Sequence, residues 1–204
     1  RVVASYTDAQ GTVESVASAD TAAVANVNDA PTGSVTIDDT TPTQGQTLTA
    51  ANTLADVDGL GAISYQWQRG GVNIAGAIGA AYTTTQADVG QLLRVVASYT
   101  DGQGTAESVV SADTAAVTNV NDAPTGNVTI DDTTPTQGQT LTATNTLADV
   151  DGLGAIGYQW QRGGVDIVGA TGATYVTSQA DVGSVLRVVA SYTDSQGTPE
   201  SVVS

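Results

Sequence analysis

The stretch Arg94-Val95-Val96-Ala97-Ser98-Tyr99-Thr100-Asp101 sets the organisation of this 204-residue chain, because the chain contains it three times. The same eight residues stand at 1–8 and at 187–194, so the sequence repeats with a period of 93 residues. Between residues 1–93 and 94–186, fifteen positions differ and the remaining 78 are identical. A period of this length exceeds that of the usual solenoid units and predicts tandem globular domains, each with its own small core.

Two Asn-Asp-Ala-Pro-Thr segments have the composition of linkers. Proline forces the residue before it into an extended conformation, and Asn and Gly favour turns, so domains are expected to begin after these segments. The sequence predicts the last two strands of one repeat, a linker, a complete repeat, a second linker and a repeat without its final strand. These parts are residues 1–27, 28–32, 33–120, 121–125 and 126–204. The chain is thus expected to start and stop inside a repeat.

Apolar residues within 33–120 alternate or form short β-branched runs between Gly, Asp, Asn and Pro. This pattern is typical of short antiparallel strands at the spacing of a β-sandwich. The single Trp of each repeat is predicted to fill the space between two sheets. An all-β chain of tandem Ig-like, Greek-key sandwiches, each with about seven strands, is the expected fold. The principal strands are predicted at residues 34–37, 47–54, 64–69, 80–84, 92–99 and 105–117.

The composition excludes several kinds of chemistry. The chain has no Cys, His or Lys, which removes the usual zinc sites, disulfides and thiol, imidazole or lysine nucleophiles. A net charge of −16 disfavours nucleic acid and anionic membranes as partners. No apolar run approaches a membrane span, and any secretory signal is expected outside residues 1–20. Of the 21 acidic residues only three are Glu, and the excess of Asp is typical of turns and calcium loops.

Three motifs carry a resemblance to a known group of proteins. They are the strand Tyr65-Gln66-Trp67-Gln68-Arg69, the corner Gln86-Ala87-Asp88-Val89-Gly90 and the Asn-Val-Asn-Asp-Ala-Pro linkers. Together they resemble bacterial Ig-like and cadherin-like repeats and, more narrowly, the extender repeats of very large RTX-type surface adhesins. The resemblance covers the whole chain and implies a bacterial surface or secreted protein. Its implied partners are neighbouring repeats of the same chain and other copies in a fibre or biofilm matrix.

The resemblance also implies calcium at the junctions between repeats. In an Ig-like sandwich, the loop between the second and third strands and the loop before the last strand share one pole with the incoming linker. Calcium takes about six to eight oxygen ligands, and clustered carboxylates repel unless a cation offsets their charge. The candidate ligands are Asn26, Asn28, Asp29, Asp56, Asp58 and Asp101 at the first junction, and Asn119, Asn121, Asp122, Asp149, Asp151 and Asp194 at the second. Further candidates from the opposite pole of a repeat are Asp38, Asp39 and Asp88.

The same residue types also have purely structural explanations. Asp and Asn in the loops of β-domains commonly serve turn geometry, and Asp88 equally fits a residue that caps the corner before a strand. Glu107 and Glu200 are interpreted as solubilising groups at strand edges, and Tyr99 as a packing or corner hydroxyl. Arg94 and Arg187 are each expected to form an ion pair with a nearby Asp.

Several classes of function compete. Catalysis would rest on paired carboxylates, as in glycosidases, but these acids are expected in short loops at domain poles, so no enzyme is predicted. An adhesive surface is disfavoured because the copies differ mostly by small, conservative substitutions. The expected function is an extender or spacer of a repetitive adhesin, stiffened by calcium at its junctions. The alternative is the repeat subunit of a self-assembling extracellular fibre, whose modules associate laterally or donate strands.

Overall fold

The computed structural model describes all 204 residues, and its sheets are entirely antiparallel. Residues 1–31, the N-terminal arm, contain one hairpin of β1 (Val3–Thr7) and β2 (Val13–Ala17). Residues 32–118, the first module, contain a three-stranded and a four-stranded sheet, and residues 125–204, the second module, repeat both. No helix in the chain is long and apolar enough to cross a membrane.

The first module is a two-sheet sandwich. One sheet has the order β3-β4-β7, with β3 (Val35–Ile37), β4 (Thr47–Asn52) and β7 (Ala81–Thr83). The other has the order β6-β5-β8-β9, with β5 (Ser64–Arg69), β6 (Val72–Asn73), β8 (Leu93–Thr100) and β9 (Ala106–Val110). The chain changes sheet between β4 and β5 and again on each side of β7. This is a Greek-key arrangement, and the predicted all-β, Ig-like fold is confirmed.

The second module has the same strand order as the first. Its smaller sheet is β10-β11-β14 and its larger sheet is β13-β12-β15-β16. The strands are β10 (Val128–Ile130), β11 (Thr140–Asn145), β12 (Gly157–Arg162), β13 (Val165–Asp166), β14 (Thr174–Val176), β15 (Leu186–Thr193) and β16 (Pro199–Val203).

The core of each module lies between its two sheets and centres on one Trp. Alternate residues of β8 face inward because successive side chains of a strand point to opposite faces. Trp67 has no exposed surface, and its indole Nε1–H donates to the carbonyl of Gly79 at 3.0 Å. Its ring packs against Tyr82 with the ring centroids 5.6 Å apart. The predicted core role of Trp67 is confirmed, and Trp160 repeats it in the second module.

The end of the first module differs from its prediction. The sequence predicts a single strand over 105–117, but β9 ends at Val110 and residues 112–118, the closing segment, cross towards the other sheet. The hydroxyls of Ser111 and Thr114 donate to neighbouring carbonyls and accept from amides of β8, and such local bonds compete with a continuous ladder. The closing segment then meets both edges of the sandwich, with Val117 bridged to Val89 and Thr118 bridged to Thr43.

The N-terminal arm has no core of its own. Its hairpin repeats the sequence of β8 and β9, yet residues 1–30 are exposed apart from the half-buried Asp8. Tyr6 is 62% exposed, whereas Tyr99 at the same position of the repeat is 5% exposed. A lone two-stranded hairpin cannot bury its apolar face, so this arm presents apolar side chains to solvent.

Candidate functional site at the module junctions

The linkers reach the predicted pole of each module. In the first module, the loop between β4 and β5 contacts the loop between β8 and β9, since the amide of Gly102 donates to the carbonyl of Asp58 at 3.1 Å. The amide of Asp29 donates to Asp58 Oδ2 at 2.8 Å, so the incoming linker joins the same pole. Two loops and a linker therefore meet at the first junction, and the second junction repeats the arrangement.

Several acids at the first junction hold the loops in shape. Asp56 Oδ1 accepts from the amide of Asp58 at 2.8 Å, and Asp56 Oδ2 accepts from the hydroxyl of Tyr99 at 2.6 Å. Asp101 Oδ1 accepts from the amides of Gln103 and Thr105 at 2.9 and 2.7 Å. Burial opposes ionisation of Asp101, but these backbone N–H groups outweigh it and lower the pKa of the carboxyl. Asp101 is thus an anion with one oxygen, Oδ1, committed to the turn.

Tyr99 remains a hydrogen-bond donor over the whole physiological pH range. Burial raises the pKa of its hydroxyl, and the hydrogen bond to the Asp56 carboxylate raises it further. Tyr192 and Asp149 repeat this pair in the second module. The interpretation of Tyr99 as a corner hydroxyl fits this contact, which orients Asp56 at the edge of the junction.

The second junction connects two modules through one residue. The amide of Asp122 donates to Asp151 Oδ2 of the second module at 2.7 Å. Gln44 of the first module donates through Nε2 to Asp122 Oδ2 at 2.7 Å, and its Oε1 accepts from the amide of Val120 at 3.3 Å. The linker is therefore hydrogen-bonded to the modules on both sides.

Three oxygens at the second junction are buried without a hydrogen-bond partner. They are Asn119 Oδ1, Asp151 Oδ1 and Asp194 Oδ2. Asp151 is only 2% exposed and Asp194 6%, and their loops are joined by the bond from the Ser195 amide to the Asp151 carbonyl. At the first junction, Asp101 Oδ2 is likewise buried without a hydrogen-bond partner. Leaving such an oxygen unsatisfied costs about 1–3 kcal/mol, more for a charged group.

The oxygen ligands available at this junction suit a hard cation, although the carboxylates alone do not enclose one. Nowhere in the chain do three or more acidic side chains converge as a ready-made metal cluster. The unpartnered oxygens belong to two carboxylates and one amide, and calcium takes its remaining ligands from such amide, backbone and water oxygens. Asp149 differs from these residues, because both of its oxygens already accept a hydrogen bond.

Sequence reasoning missed three residues of the junctions. Asn28 Nδ2 donates to Glu107 Oε1 at 2.7 Å, and Asn121 Nδ2 donates to Glu200 Oε1 at 2.8 Å, so these glutamates are linker contacts and not only strand-edge groups. A signal existed, because all three Glu of the chain occupy one position of the repeat. Gln44 had no such signal, because its partner Asp122 lies 78 residues away along the chain.

The acids predicted as weaker metal ligands at the opposite pole accept hydrogen bonds within the first module. Asp38 Oδ1 accepts from the amide of Thr49, and both oxygens of Asp39 accept from nearby groups that include Gln46 Nε2. Asp88 is fully buried and pairs through Oδ1 with Arg69 Nε at 2.7 Å. Its Oδ2 accepts from the backbone amide that begins the corner, so the capping explanation of Asp88 is the one observed.

The arginine prediction is wrong. Arg94 forms no ion pair and donates through Nε to Gln68 Oε1 at 2.7 Å. Arg187 likewise forms no ion pair and donates through Nε to Gln161 Oε1 at 2.6 Å. The strand register explains this, because Gln68 lies directly opposite Arg94 across β5 and β8. The ion pairs of the chain are instead Arg69 with Asp88 and Arg162 with Asp181.

The Gly61→Ala variant is expected to loosen the first junction. A Cβ at Gly61 would lie 2.0 Å from the carbonyl oxygen of Thr100, so the loop that carries Asp56 and Asp58 must move. Overpacking of this kind destabilises by about 1–3 kcal/mol. Urea unfolding and amide hydrogen exchange in this loop measure the effect. Gly79→Ala is the matched control, because its Cβ would come no closer than 3.4 Å to another residue, and equal stability losses in the two variants would contradict the prediction.

The comparisons with known proteins identify no family for this chain. No protein-family model matches it, and no curated protein does. Among solved structures, it is similar to a Ca2+-stabilized adhesin that helps an Antarctic bacterium reach out and bind ice, at 15% identity and a TM-score of 0.35 over 98% of this chain and 54% of the adhesin chain. It is also similar to the ectodomain of mouse nectin-like molecule 4, at 15% identity and a TM-score of 0.33 over 84% and 62% of the two chains. Fibronectin(III)-like modules of CbhA from Clostridium thermocellum match at 18% identity and a TM-score of 0.28 over 83% and 92%.

These similarities are too weak to carry an argument about function, and the chain spans little more than half of the adhesin structure. The class of protein rests on the strand order and the two cores described above. The chain is a tandem Ig-like β-sandwich protein with hydrogen-bonded linkers.

Proposed function

We propose that this chain is a structural extender segment of a repetitive bacterial adhesin of the RTX type, at the cell surface or secreted. Its modules are spacers, and calcium stiffens the junctions between them. The observation that carries the proposal is the second junction, where Asp122 is hydrogen-bonded to both modules and where Asp151, Asp194 and Asn119 each keep one buried oxygen without a partner.

The repetition of the modules supports a spacer. Each module has its own core around a buried Trp, and residues 1–93 differ from residues 94–186 at only fifteen of 93 positions. A spacer grows by copying without loss of function, whereas a binding site that must recognise one partner does not require near-identical neighbours. The longest strand of a module, β8, has eight residues and spans roughly 25 Å at about 3.3 Å per residue.

In this proposal, calcium offsets the negative charge of the junction and restricts its bending. An unbound junction keeps buried carboxylate oxygens without partners in a chain whose net charge is already −16. A bound divalent ion offsets that charge and ties the linker to both loops of the pole, which restricts bending at the junction. At the first junction, Asp58 and Asp101 with Asn26, Asn28 and Asp29 are the corresponding ligands. The acids thereby serve cation binding and not acid–base chemistry.

Small-angle X-ray scattering of the 204-residue chain tests the proposal, in millimolar calcium and again in excess EGTA, with thermal unfolding measured alongside. Calcium is expected to increase the maximum dimension of the particle. At about 100 times its Kd it stabilises by about 2.7 kcal/mol, which raises the Tm of a module of this size by roughly 10–20 °C.

The double variant Asp151→Asn with Asp194→Asn is expected to lose most of the response at the second junction. Asp113→Asn is the matched control, because Asp113 is exposed, carries the same charge and makes no junction contact. Identical scattering and Tm with calcium and with EGTA would show that calcium does not bind at the junctions, which would contradict the calcium-stiffened extender.

A further inference from the structure

Arg94 is a cation without an anionic partner in a strongly acidic chain. The chain has 5 basic residues against 21 acidic ones, yet its ion pairs involve only Arg69 and Arg162. Arg94 uses only its Nε, which donates to Gln68 Oε1 at 2.7 Å. A guanidinium carries N–H donors on all three nitrogens. The donors on Nη1 and Nη2 of Arg94 are therefore free to bind an anion.

Three planar side chains form a row across the larger sheet of the first module. Gln68 of β5 lies opposite both Arg94 of β8 and Asn73 of β6. Its Nε2 donates to Asn73 Oδ1 at 2.8 Å, while its Oε1 accepts from Arg94. Trp67, next along β5, is fully buried, so the row lies on the outer face of the sheet. A Cβ at position 71 would lie 3.3 Å from Arg94 Nη2, so Gly71 leaves room for the guanidinium beside the turn between β5 and β6.

The outer face continues from this row to a shallow groove near the first junction. Val110 lies between the two and is 46% exposed. The groove has a volume of about 410 Å³, and Ser64, Ser98 and Ser108 line it. The strand register places these three residues side by side across β5, β8 and β9. Ser98 lies about 13 Å from Arg94 along β8, a span that an oligosaccharide bridges and a single sugar does not.

The strands direct no acidic side chain to this outer face. The outward residues of β5, β8 and β9 are Ser, Gln, Arg, Val and Ala, and β6 contributes Asn73. Glu107 lines the rim of the groove, but its Oε1 accepts from Asn28 of the linker. Charges farther away than about 8 Å are largely screened at physiological ionic strength. The face is therefore open to an anionic ligand despite the net charge of the chain.

The position of β5 and β8 within the sheet favours one kind of ligand. Both strands are interior and have neighbours on both sides, so a ligand reaches this face only through side chains. A bound peptide typically adds to the free edge of a sheet, where backbone groups are unpaired. A polymer of hydroxyl-bearing rings instead matches a surface of serine hydroxyls, planar amides and exposed valine.

We propose that the outer face of the first module binds a polysaccharide that carries carboxylate groups. Arg94 holds one carboxylate through its Nη donors, in the fork geometry that a guanidinium offers to a carboxylate. The hydroxyls of Ser98 and Ser108 bond to sugar hydroxyls in the groove, and Val110 packs against the apolar side of a ring between them. This binding goes beyond the extender role and does not require calcium.

The second module provides an internal comparison. Its row ends in Asp166, which accepts from Gln161 Nε2 at 2.7 Å, while Arg187 donates to Gln161 Oε1 at 2.6 Å. A carboxylate in the row repels an anionic ligand. The groove has no counterpart in the second module, and two of its lining positions differ, with Gly157 in place of Ser64 and Pro199 in place of Ala106. The second module is therefore expected to bind the polymer more weakly than the first.

NMR titration of the ¹⁵N-labelled 204-residue chain tests the proposal, with a hexamer of galacturonic acid as the probe. The buffer is freed of calcium by a chelating resin, so the outcome is separate from that of the calcium experiment. Amide signals of β5, β6, β8 and β9 are expected to shift, together with the Nε signal of Arg94. The fully methyl-esterified hexamer is expected to bind about tenfold more weakly, because it offers no charge to the guanidinium.

Variants of the two modules assign the site. Arg94→Gln is expected to weaken binding about tenfold. Arg187→Gln, at the same position of the second module, is the matched control and is expected to change nothing. Asn73→Asp is expected to weaken binding about threefold, and the fold tolerates it because the second module has Asp at this position. The double variant Gly157→Ser with Asp166→Asn is expected to strengthen binding by the second module.

Four results would overturn the proposal. They are an absence of shifts on the outer face, equal affinity for the acid and its methyl ester, equal losses in Arg94→Gln and Arg187→Gln, and equal affinity for poly-L-glutamate. The last result would show that the face binds any carboxylate polymer, including a peptide, and does not recognise sugar rings.

Discussion

The Trp67→Ala variant is expected to unfold the first module and to leave the second module folded. Trp67 is fully buried at the centre of a core cluster of 11 residues, and its indole N–H satisfies the carbonyl of Gly79. Truncating a buried Trp costs about 3–5 kcal/mol, which is a large share of the stability of a domain this small. The loss is expected to stay within one module because the second core is built on its own Trp160.

Intrinsic fluorescence during urea unfolding measures this effect module by module. The chain has only two Trp residues, so Trp67→Ala leaves Trp160 as the reporter of the second module, and Trp160→Ala leaves Trp67 as the reporter of the first. The Trp160 transition is expected at the same urea concentration in the unaltered chain and in Trp67→Ala. A shift of that transition by as much as the first module loses would show that the modules fold as one cooperative unit, which would contradict independent spacers.

The Asp88→Ala variant is expected to destabilise the first module by about 2–4 kcal/mol. The substitution leaves the Arg69 guanidinium without its carboxylate and the hydroxyl of Tyr82 without its acceptor, and it removes the acceptor of the Thr85 amide. The loss falls below that of a fully buried pair because the Arg69 side chain is 30% exposed. Urea unfolding followed by Trp67 fluorescence measures the change, with the exposed Asp113→Ala as the control that is expected to alter nothing.

The same carboxylates make the stability of both modules depend on acid. Burial opposes ionisation of Asp88, but the hydrogen bonds from Arg69, Thr85 and Tyr82 outweigh it and lower its pKa. The equivalent contacts lower the pKa of Asp181 to about 2. A group whose pKa is lower in the folded state stabilises the protein above its unfolded pKa of about 3.9 and loses that contribution as the pH falls through the folded value. Unfolding midpoints are therefore expected to be flat from about pH 7 to 5 and to fall between about pH 4 and 2. In Asp88→Ala, the fall in the first module is expected to be smaller, and an unchanged fall would assign acid sensitivity to other groups.

The fold could be predicted from the sequence because the patterns that indicate it are formed by residues close together along the chain. Alternate burial along β8 follows from the geometry of a strand, and the pattern of residues 93–100 shows it directly. Trp67 was assigned to the core for the same reason, since one large aromatic residue per repeat on an alternating strand has only the inter-sheet space to occupy. The end of the last strand at Val110 was missed because the hydroxyl contacts of Ser111 and Thr114 redirect the backbone, and apolar periodicity does not detect such contacts.

The candidate site depended much more on tertiary structure. Residue type marked Asp151 and Asp194 as junction acids, but only the fold shows that each keeps one buried oxygen without a partner. Residue type also marked Asp88, which the fold instead commits to Arg69. The sequence does not distinguish a junction carboxylate from one in an ion pair, because the role of a carboxylate depends on the hydrogen-bond donors that surround it in the fold.

By itself, the sequence determined the repeat, the all-β class, the core Trp of each module and the acidity of the loops. These properties follow from composition and from contacts between residues close along the chain. Tertiary structure alone decided the pairing of Asn28 with Glu107, of Gln44 with Asp122 and of the closing segment with Val89 and Thr43. Their partners are 79 and 78 residues apart in the first two pairs, so they meet only after the sheets have formed and the modules have taken their places.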